Sequence, residues 1–380
     1  LTRILNITRV QYHATVYAVI YSPSFFRKLI PSTYAAPGTY DFRRAPTSDD
    51  EHNRRRNYMQ RILVTGALGQ IGSDLTEALR ARYGTNNVIA TDIADPNRDV
   101  LDAGPYQFVD CLFVDQIAEV VRKHGIDTIY HLAAILSAKA EGNPQLAWNV
   151  NMNGLFNVLE VAREYQCSVF TPSSIGAFGP GTPKERTPQD TIQRPETMYG
   201  VTKVSGELLC DYYFLKYGVD TRGVRYPGII SYKTLPGGGT TDYAVAIYYE
   251  AVKRRRYTCY LAEETRLDMM YMPDAIKAAI DLMEADASRL KHRNAFNVTA
   301  MSITPDDIAA SLRKIIPDFI MEYDVDPVRQ AIADSWPDSL DDSAAREEWD
   351  WSPTFTLDAM TRDMVEKLRL KLQPSETVNQ

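Results

Sequence analysis

Cysteine is scarce in this chain. Only Cys111, Cys167, Cys210 and Cys259 occur in 380 residues, and no two form a Cys-x-x-Cys pair. Such spacing suggests neither a zinc site nor a disulfide framework, and it fits a reducing compartment. Long apolar runs are missing too: the longest candidate, Ala14 to Tyr21, is far too short to cross a bilayer. No membrane association is therefore expected. A basic excess is also lacking. The formal charge is −7, which is not the footprint of a nucleic-acid binder. The runs Arg54-Arg55-Arg56 and Arg254-Arg255-Arg256 read as linker or solvated faces. Finally, no acidic residue precedes Asp41, although Arg3, Arg9, Arg27 and Lys28 do. Two readings of that stretch stay open: an organelle transit peptide, which we favour, and untranslated-region readthrough or a disordered tail.

What remains is an ordinary globular composition, 44% hydrophobic and 24% charged, with a length that allows two or three domains or one two-lobed α/β unit. We expect leader and linker over residues 1–58, a dinucleotide-binding domain over 59–230, a mainly substrate-binding lobe over 231–372 with segments returning to the first domain, and a tail at 373–380.

The organising pattern begins with a strand at Arg61 to Thr65, the turn Gly66-Ala67-Leu68-Gly69-Gln70-Ile71-Gly72, and a helix to about Tyr83. A second strand, Val88 to Thr91, ends at Asp92. Glycines permit a tight turn and close backbone approach, the helix N-terminus faces a pyrophosphate, and an acid about twenty residues on binds the adenosine ribose. A carboxylate at Asp92 repels a 2′-phosphate, so NAD is expected rather than NADP. Further strands are predicted near Gln107 to Phe113, at Thr128 to Ala133 and at Ser168 to Pro172. Helices are predicted from Gln116 to His124, from about Gln145 to Tyr165 and from Thr197 to Tyr217. The alternation implies an α/β, doubly wound parallel sheet with its ligand at the strands' carboxyl ends, where Asp110, His131, Ser137, Ser173 and Ser174 fall. A third strand-like run, Thr221 to Ile230, contains Arg225-Tyr226-Pro227-Gly228.

Tyr199 and Lys203 stand one helical turn apart, where an ammonium favours the phenolate of its neighbour. Alone, that spacing usually means an aromatic beside a solvated lysine. Ser174, 25 positions earlier at a strand end, adds a hydroxyl able to converge on the same substrate oxygen. Beyond Ser231 the β-α rhythm loosens. Gly237-Gly238-Gly239 reads as a flexible loop, and Thr240, Thr241 and Asp242 suit either a zwitterion or a helix cap. Trp336, Trp349 and Trp351 read as core aromatics, with Trp336 also able to close over the site.

These motifs, in this order, resemble the extended short-chain dehydrogenase/reductase family over about Met59 to Leu372: Gly66/Gly69/Gly72, Asp92, His131-Leu132-Ala133-Ala134, Asn151-Met152-Asn153-Gly154, Ser174, Tyr199, Lys203 and Arg225-Tyr226-Pro227-Gly228. Ile135-Leu136-Ser137-Ala138, the glycine loop through Tyr243, and Asp334-Ser335-Trp336-Pro337 through Trp351 are similar to the L-threonine 3-dehydrogenase branch. The resemblance implies a Rossmann domain with a smaller C-terminal α/β substrate lobe. It also implies NAD held by Gly66, Leu68, Gly69, Gln70, Ile71, Gly72, Asp92, Asp110, Leu132, Ala133, Ala134, Asn151, Tyr199, Lys203, Tyr226 and Pro227. Catalysis by Ser174, Tyr199 and Lys203 is implied in the same way. L-threonine would be oxidised to 2-amino-3-ketobutyrate, with Ser137, Ser174, Tyr199, Thr240, Thr241, Asp242 and Trp336 on the substrate, and no metal. A homodimer, a mitochondrial matrix location and a functional link to a coenzyme A ligase follow from the same likeness. A nucleotide-sugar epimerase or dehydratase, and a non-catalytic NAD-sensing protein, are the competing readings.

Overall fold

Strands buried on both faces read as unbroken apolar runs, and Ile62–Thr65 (β1) is such a run, with every residue buried. In the computed structural model, which describes residues 59–233 and 239–372, β1 leads into helix α1 (Gln70–Tyr83), then β2 (Val88–Asp92), β3 (Tyr106–Phe108), α2 (Val114–His124) and β4 (Thr128–His131). Helix α3 (Gly154–Tyr165), β5 (Ser168–Phe170), β6 (Ser173–Ser174), α4 (Met198–Tyr217) and β7 (Thr221–Arg222) follow. The expected leader and linker, the tail, and Gly237 and Gly238 of the glycine loop lie outside the described residues.

Six strands form one sheet in the order β3-β2-β1-β4-β5-β7, every pair parallel. The order reverses between β1 and β4, the switch point at which such sheets receive ligands. Side chains alternate across the sheet: Ile62 and Val64 pack with Leu75 and Leu79 of α1, whereas Leu63 packs with Ile117 of α2 and Val158 of α3. Helices thus cover both faces, giving the doubly wound α/β fold expected from the sequence.

Three expectations need correction. The strand predicted from Gln107 to Phe113 stops at Phe108, and helix α2 already starts at Val114. The single helix predicted from Gln145 to Tyr165 is instead a short helix, Pro144–Trp148, a widened π-helical turn, Asn149–Asn153, and then α3. The run from Thr221 to Ile230 is divided into β7, β8 (Val224–Tyr226) and β9 (Gly228–Ile230), which join three different sheets. Pro227, with no N–H to give a ladder, separates the last two.

The later chain contains α5 (Tyr243–Arg254), β10 (Arg256–Cys259), β11 (Leu267–Tyr271), α6 (Met272–Glu284), β12 (Phe296–Asn297), β13 (Met301–Ile303), α7 (Pro305–Arg313), β14 (Ile320–Tyr323) and α8 (Leu357–Leu372). Helices α5, α7 and α8 share one core with β11, while α6 returns to pack on α1. Strand β12 pairs with β8, which pairs with β6, so late chain is braced against Ser173 and Ser174. All four cysteines are free and buried; burial pushes the Cys111 and Cys167 thiols up to about 12. Among the described residues no helix is long and apolar enough to cross a membrane.

Asp268 on β11 is fully buried and accepts from the Leu340 amide at 2.9 Å and from the Thr299 hydroxyl. It thereby holds residues 338–341, whose backbone is hydrogen-bonded to Lys184 and Thr187 in the connection between Ser174 and Tyr199. Burial pushes its carboxyl up from 3.8 to about 7, against those hydrogen bonds. The folded state therefore keeps a proton that the unfolded chain releases. This group's contribution is intact below about pH 4 and is lost progressively as pH rises to about 7. Asp268→Asn, which cannot ionise, should lose less of its denaturation midpoint than the wild type between those limits; an identical pH dependence would contradict this account.

Candidate active site

The glycine turn is shaped by backbone contact. Gly66 has φ +69°, and a Cβ there would lie 2.7 Å from the Ala133 nitrogen; a Cβ on Gly72 would lie 2.1 Å from the Gly66 carbonyl oxygen. Only glycine permits both approaches. Helix α1 starts at Gln70 with no side-chain cap and no acid in its first turn, so its N–H groups and dipole are directed at an anion. The Gln70 side-chain Nε2 is buried without a partner among the described residues. A glycine cradle, an uncapped helix and an orphaned donor fit a diphosphate. Asp92 completes the turn: Oδ2 accepts from the Leu68 amide at 3.0 Å, and Oδ1 accepts from the amides of Ile93 and Ala94 at 2.8 and 3.2 Å. Asp110 sits at the next strand end and accepts from the Leu112 amide at 2.9 Å.

Across the switch point, Leu132, Ala133 and Ala134 line a cavity together with Asn151, Lys203 and Glu207. Asn151 lies on the π-helical turn. It accepts from the Ile135 amide at 2.7 Å and donates to the Ile135 carbonyl at 3.1 Å and to Thr202 Oγ1 at 3.0 Å. One side chain so ties the loop after β4 to helix α4. His131, buried at the end of β4, is hydrogen-bonded to Thr65 at 2.8 Å. Burial and then the Lys203 charge push it down to about 3, so it stays neutral.

Helix α4 is started by Thr197, whose hydroxyl accepts from the Gly200 amide at 3.1 Å. Glu141 adds a second acceptor for the Met198 amide at 2.6 Å. Tyr199 is thereby in the first turn, with Lys203 one turn on. The Lys203 Nζ is 5.4 Å from the Tyr199 ring centre and donates to the Pro172 carbonyl at 2.7 Å. Ser174, on β6, accepts from the Gly176 amide at 3.1 Å. A Cβ on Gly176 would lie 3.2 Å from Tyr199 Cδ1 and 3.6 Å from the Ser174 hydroxyl oxygen. Tyr199 and Ser174 thus meet at one glycine, with Lys203 beside the tyrosine ring.

The other residues named from sequence are more dispersed. Tyr226 turns its side chain into the core, where its hydroxyl donates to the Ala275 carbonyl at 2.6 Å, and Pro227 is buried beside it. Any contact Tyr226 makes with a cofactor is therefore through backbone. Ser137 is buried at the start of a short helix, Ser137–Gly142. Thr240, Thr241 and Asp242 form a 3-10 turn that Asp242 closes by accepting from the Gly239 amide at 2.7 Å. Thr241 lies against Gly228, at the end of the Arg225-Tyr226-Pro227-Gly228 segment. Trp336 is 7% exposed and packed in the core around α5 and α8. Among the described residues no group of His, Cys, Asp or Glu is arranged to hold a metal ion. Sequence reasoning missed Glu207, Gln193 and Asn297, which hydrogen-bond around Ser173 and Arg225. The one local signal was an acid at the turn after Lys203.

A family model, the NAD dependent epimerase/dehydratase family, matches residues 62–299, more than half of the chain. A Staphylococcus haemolyticus protein described as an uncharacterized epimerase/dehydratase is 55% identical over 316 residues, 83% of this chain and 99% of its own. The solved L-threonine dehydrogenase of Clostridium difficile is 60% identical with a TM-score of 0.82, over 83% of this chain and 99% of that one. A monomeric L-threonine 3-dehydrogenase from a metagenome is 45% identical with a TM-score of 0.79, over 82% and 99%. The expected mitochondrial matrix location does not stand, because relatives at 54–55% identity come from Staphylococcus, bacteria without mitochondria. The cofactor is NAD. Gly72→Ala should therefore weaken NAD binding at least about tenfold by titration, through the clash with the Gly66 carbonyl; unchanged affinity would remove the glycine cradle from the site. From its glycine turn to its tyrosine and lysine, and by the family model that spans all of that length, the chain belongs to the NAD dependent epimerase/dehydratase family.

Proposed function

We propose that this NAD-dependent oxidoreductase oxidises the hydroxyl of L-threonine to 2-amino-3-ketobutyrate. The observation that carries the reading is the meeting of Ser174 and Tyr199 at Gly176, with Lys203 beside the tyrosine ring. Bound NAD supplies a hydride acceptor. The Tyr199 phenolate oxygen takes the proton of the substrate hydroxyl as the hydride leaves the same carbon. Ser174 already uses an acceptor position on the Gly176 amide, which leaves its O–H free to donate to the substrate oxygen as charge develops there. Lys203 commits one N–H to the Pro172 carbonyl and keeps two, together with its charge, for the phenolate and the cofactor. Ser137 and the Thr240–Asp242 turn are the proposed partners of the amino acid's carboxylate and ammonium, and the likeness to solved L-threonine dehydrogenases supports the choice of substrate.

L-threonine with NAD should give NADH, at rates well above those with L-serine or a nucleotide sugar. Tyr199→Phe should lower turnover by about a hundredfold or more, with NAD affinity changed less than about threefold. A fully active phenylalanine variant would end this mechanism, and NADH from none of these substrates would end the threonine assignment.

We also propose a homodimer through α3 and α4. Val201, Leu208, Tyr212 and Leu215 on α4, with Phe156 on α3, are exposed apolar side chains. The spacing of the first four, 7, 4 and 3 positions, places them along one stripe of the helix. Leu215 alone is 80% exposed. An exposed apolar stripe along one helix supports a surface that pairs with another chain. Light scattering should give twice the mass of one chain, and Leu208→Glu with Leu215→Glu should give monomers; a wild-type monomer would refute the pairing.

A further inference from the structure

Behind the serine and tyrosine lies a buried ion pair that the reaction itself does not use. Glu207 is on α4, eight residues after Tyr199 and four after Lys203. Its carboxylate faces Arg225 of β8: Nη2 donates to Oε2 at 2.8 Å, and Nε donates to Oε1 at 3.1 Å. Both side chains are less than one-tenth exposed. Desolvating two charges costs about as much as their attraction returns, so a pair of this kind is a poor source of stability. Its value is better sought in the geometry that it imposes.

That geometry converges on Ser173. The Ser173 hydroxyl donates to Glu207 Oε1. In the parallel ladder, Ser173 stands opposite Arg225 and Ser174 opposite Tyr226. Glu207, Arg225 and Ser173 therefore form a closed triangle drawn from a helix and two strands. The second carboxylate oxygen accepts from Gln193 Nε2 at 2.8 Å. Arg225 Nη1 donates to the Gln189 carbonyl at 2.8 Å and to Asn297 Oδ1 at 3.1 Å. Gln189 and Gln193 belong to the connection that delivers Tyr199 to the start of α4. Both approaches to the site, the strand with Ser174 and the segment before Tyr199, are thus tied to one carboxylate.

We infer that Glu207, locked by Arg225, is a positioning residue: through the Ser173 hydroxyl it holds β6 so that the neighbouring Ser174 presents its hydroxyl beside Tyr199. This inference rests on the oxidation reading above for its kinetic consequence, but not for its structural one. Glu207→Gln keeps the side-chain shape and cannot sustain the ion pair. Ser173→Ala removes the handle while leaving no buried charge unpaired, so it is the second variant if the first folds poorly.

The test measures steady-state kinetics with L-threonine and NAD, NAD affinity, and amide hydrogen exchange, all on the full chain. Either variant should lower kcat at least about tenfold, with KM for threonine and NAD affinity within about threefold. In a Ser174→Ala background the same change should lower kcat less than about twofold, because its target is already gone. Exchange of the amides in 173–178 should rise at least about tenfold, while that of 66–72 stays unchanged. Equal kcat losses in both backgrounds, or unaltered exchange in 173–178, would overturn the positioning role. A wild type that makes no NADH from threonine, or a fully active Ser174→Ala, would instead indict the oxidation reading, and the exchange measurement would still decide the clamp.

Discussion

The site exists because two segments of backbone are allowed to touch. A Cβ on Gly200 would lie 2.2 Å from the Gly176 carbonyl oxygen and 2.4 Å from Pro195 Cβ. Any other residue at position 200 would force the first turn of α4 off the turn that follows β6, and the tyrosine would leave the serine with it. The parallel sheet alone does not bring these groups together; it only sends the two chain segments to the same edge. The same device, backbone contact purchased with a missing side chain, operates at Gly66 and Gly72 across the switch point.

Much of this was readable in the sequence because the informative residues are close together in it. The glycine turn, Asp92, the Tyr199–Lys203 spacing and the strand–helix alternation each occupy a few dozen residues or fewer, and local physics fixes their form. The doubly wound parallel sheet followed from the alternation, whereas the order of its strands came from the structure. What could not be read depends on partners distant along the chain. Arg225 was seen only as part of a Pro-Gly run, yet it joins Glu207, Gln189 and Asn297. Nothing in a local window says that an acid at 207 will face an arginine at 225. The composition of Gln145 to Tyr165 suited one continuous helix, and the widened turn within it carries Asn151, whose partners Ile135 and Thr202 are distant in sequence. Trp336 was read both as a core aromatic and as able to close over the site, and its ring packs in the core around α5 and α8. The acid-poor start suggested an address that bacterial kinship contradicts, since composition does not distinguish a targeting segment from other basic stretches.

Charge is handled in layers around the reacting centre. His131 is held neutral by burial, Lys203 carries the positive charge nearest the tyrosine, and farther in Glu207 and Arg225 cancel one another. A low-dielectric interior magnifies any imbalance. Charge pairs set deeper than the site can therefore fix positions without adding a net field at the phenol.

The π-helical turn at Asn149–Asn153 carries a consequence for how this protein can vary. It amounts to one extra residue accommodated in an otherwise regular helix. Deleting a single residue there would restore ordinary winding and leave the helix beyond it in nearly the same phase, because the wider turn already absorbs that residue's rotation. Phe156 would keep its side of the molecule, and what would be lost is the widened turn that sets Asn151 against Ile135 and Thr202. A one-residue change of length along this stretch is thus absorbed locally, and it alters what the turn presents to the loop after β4 rather than the direction of α3.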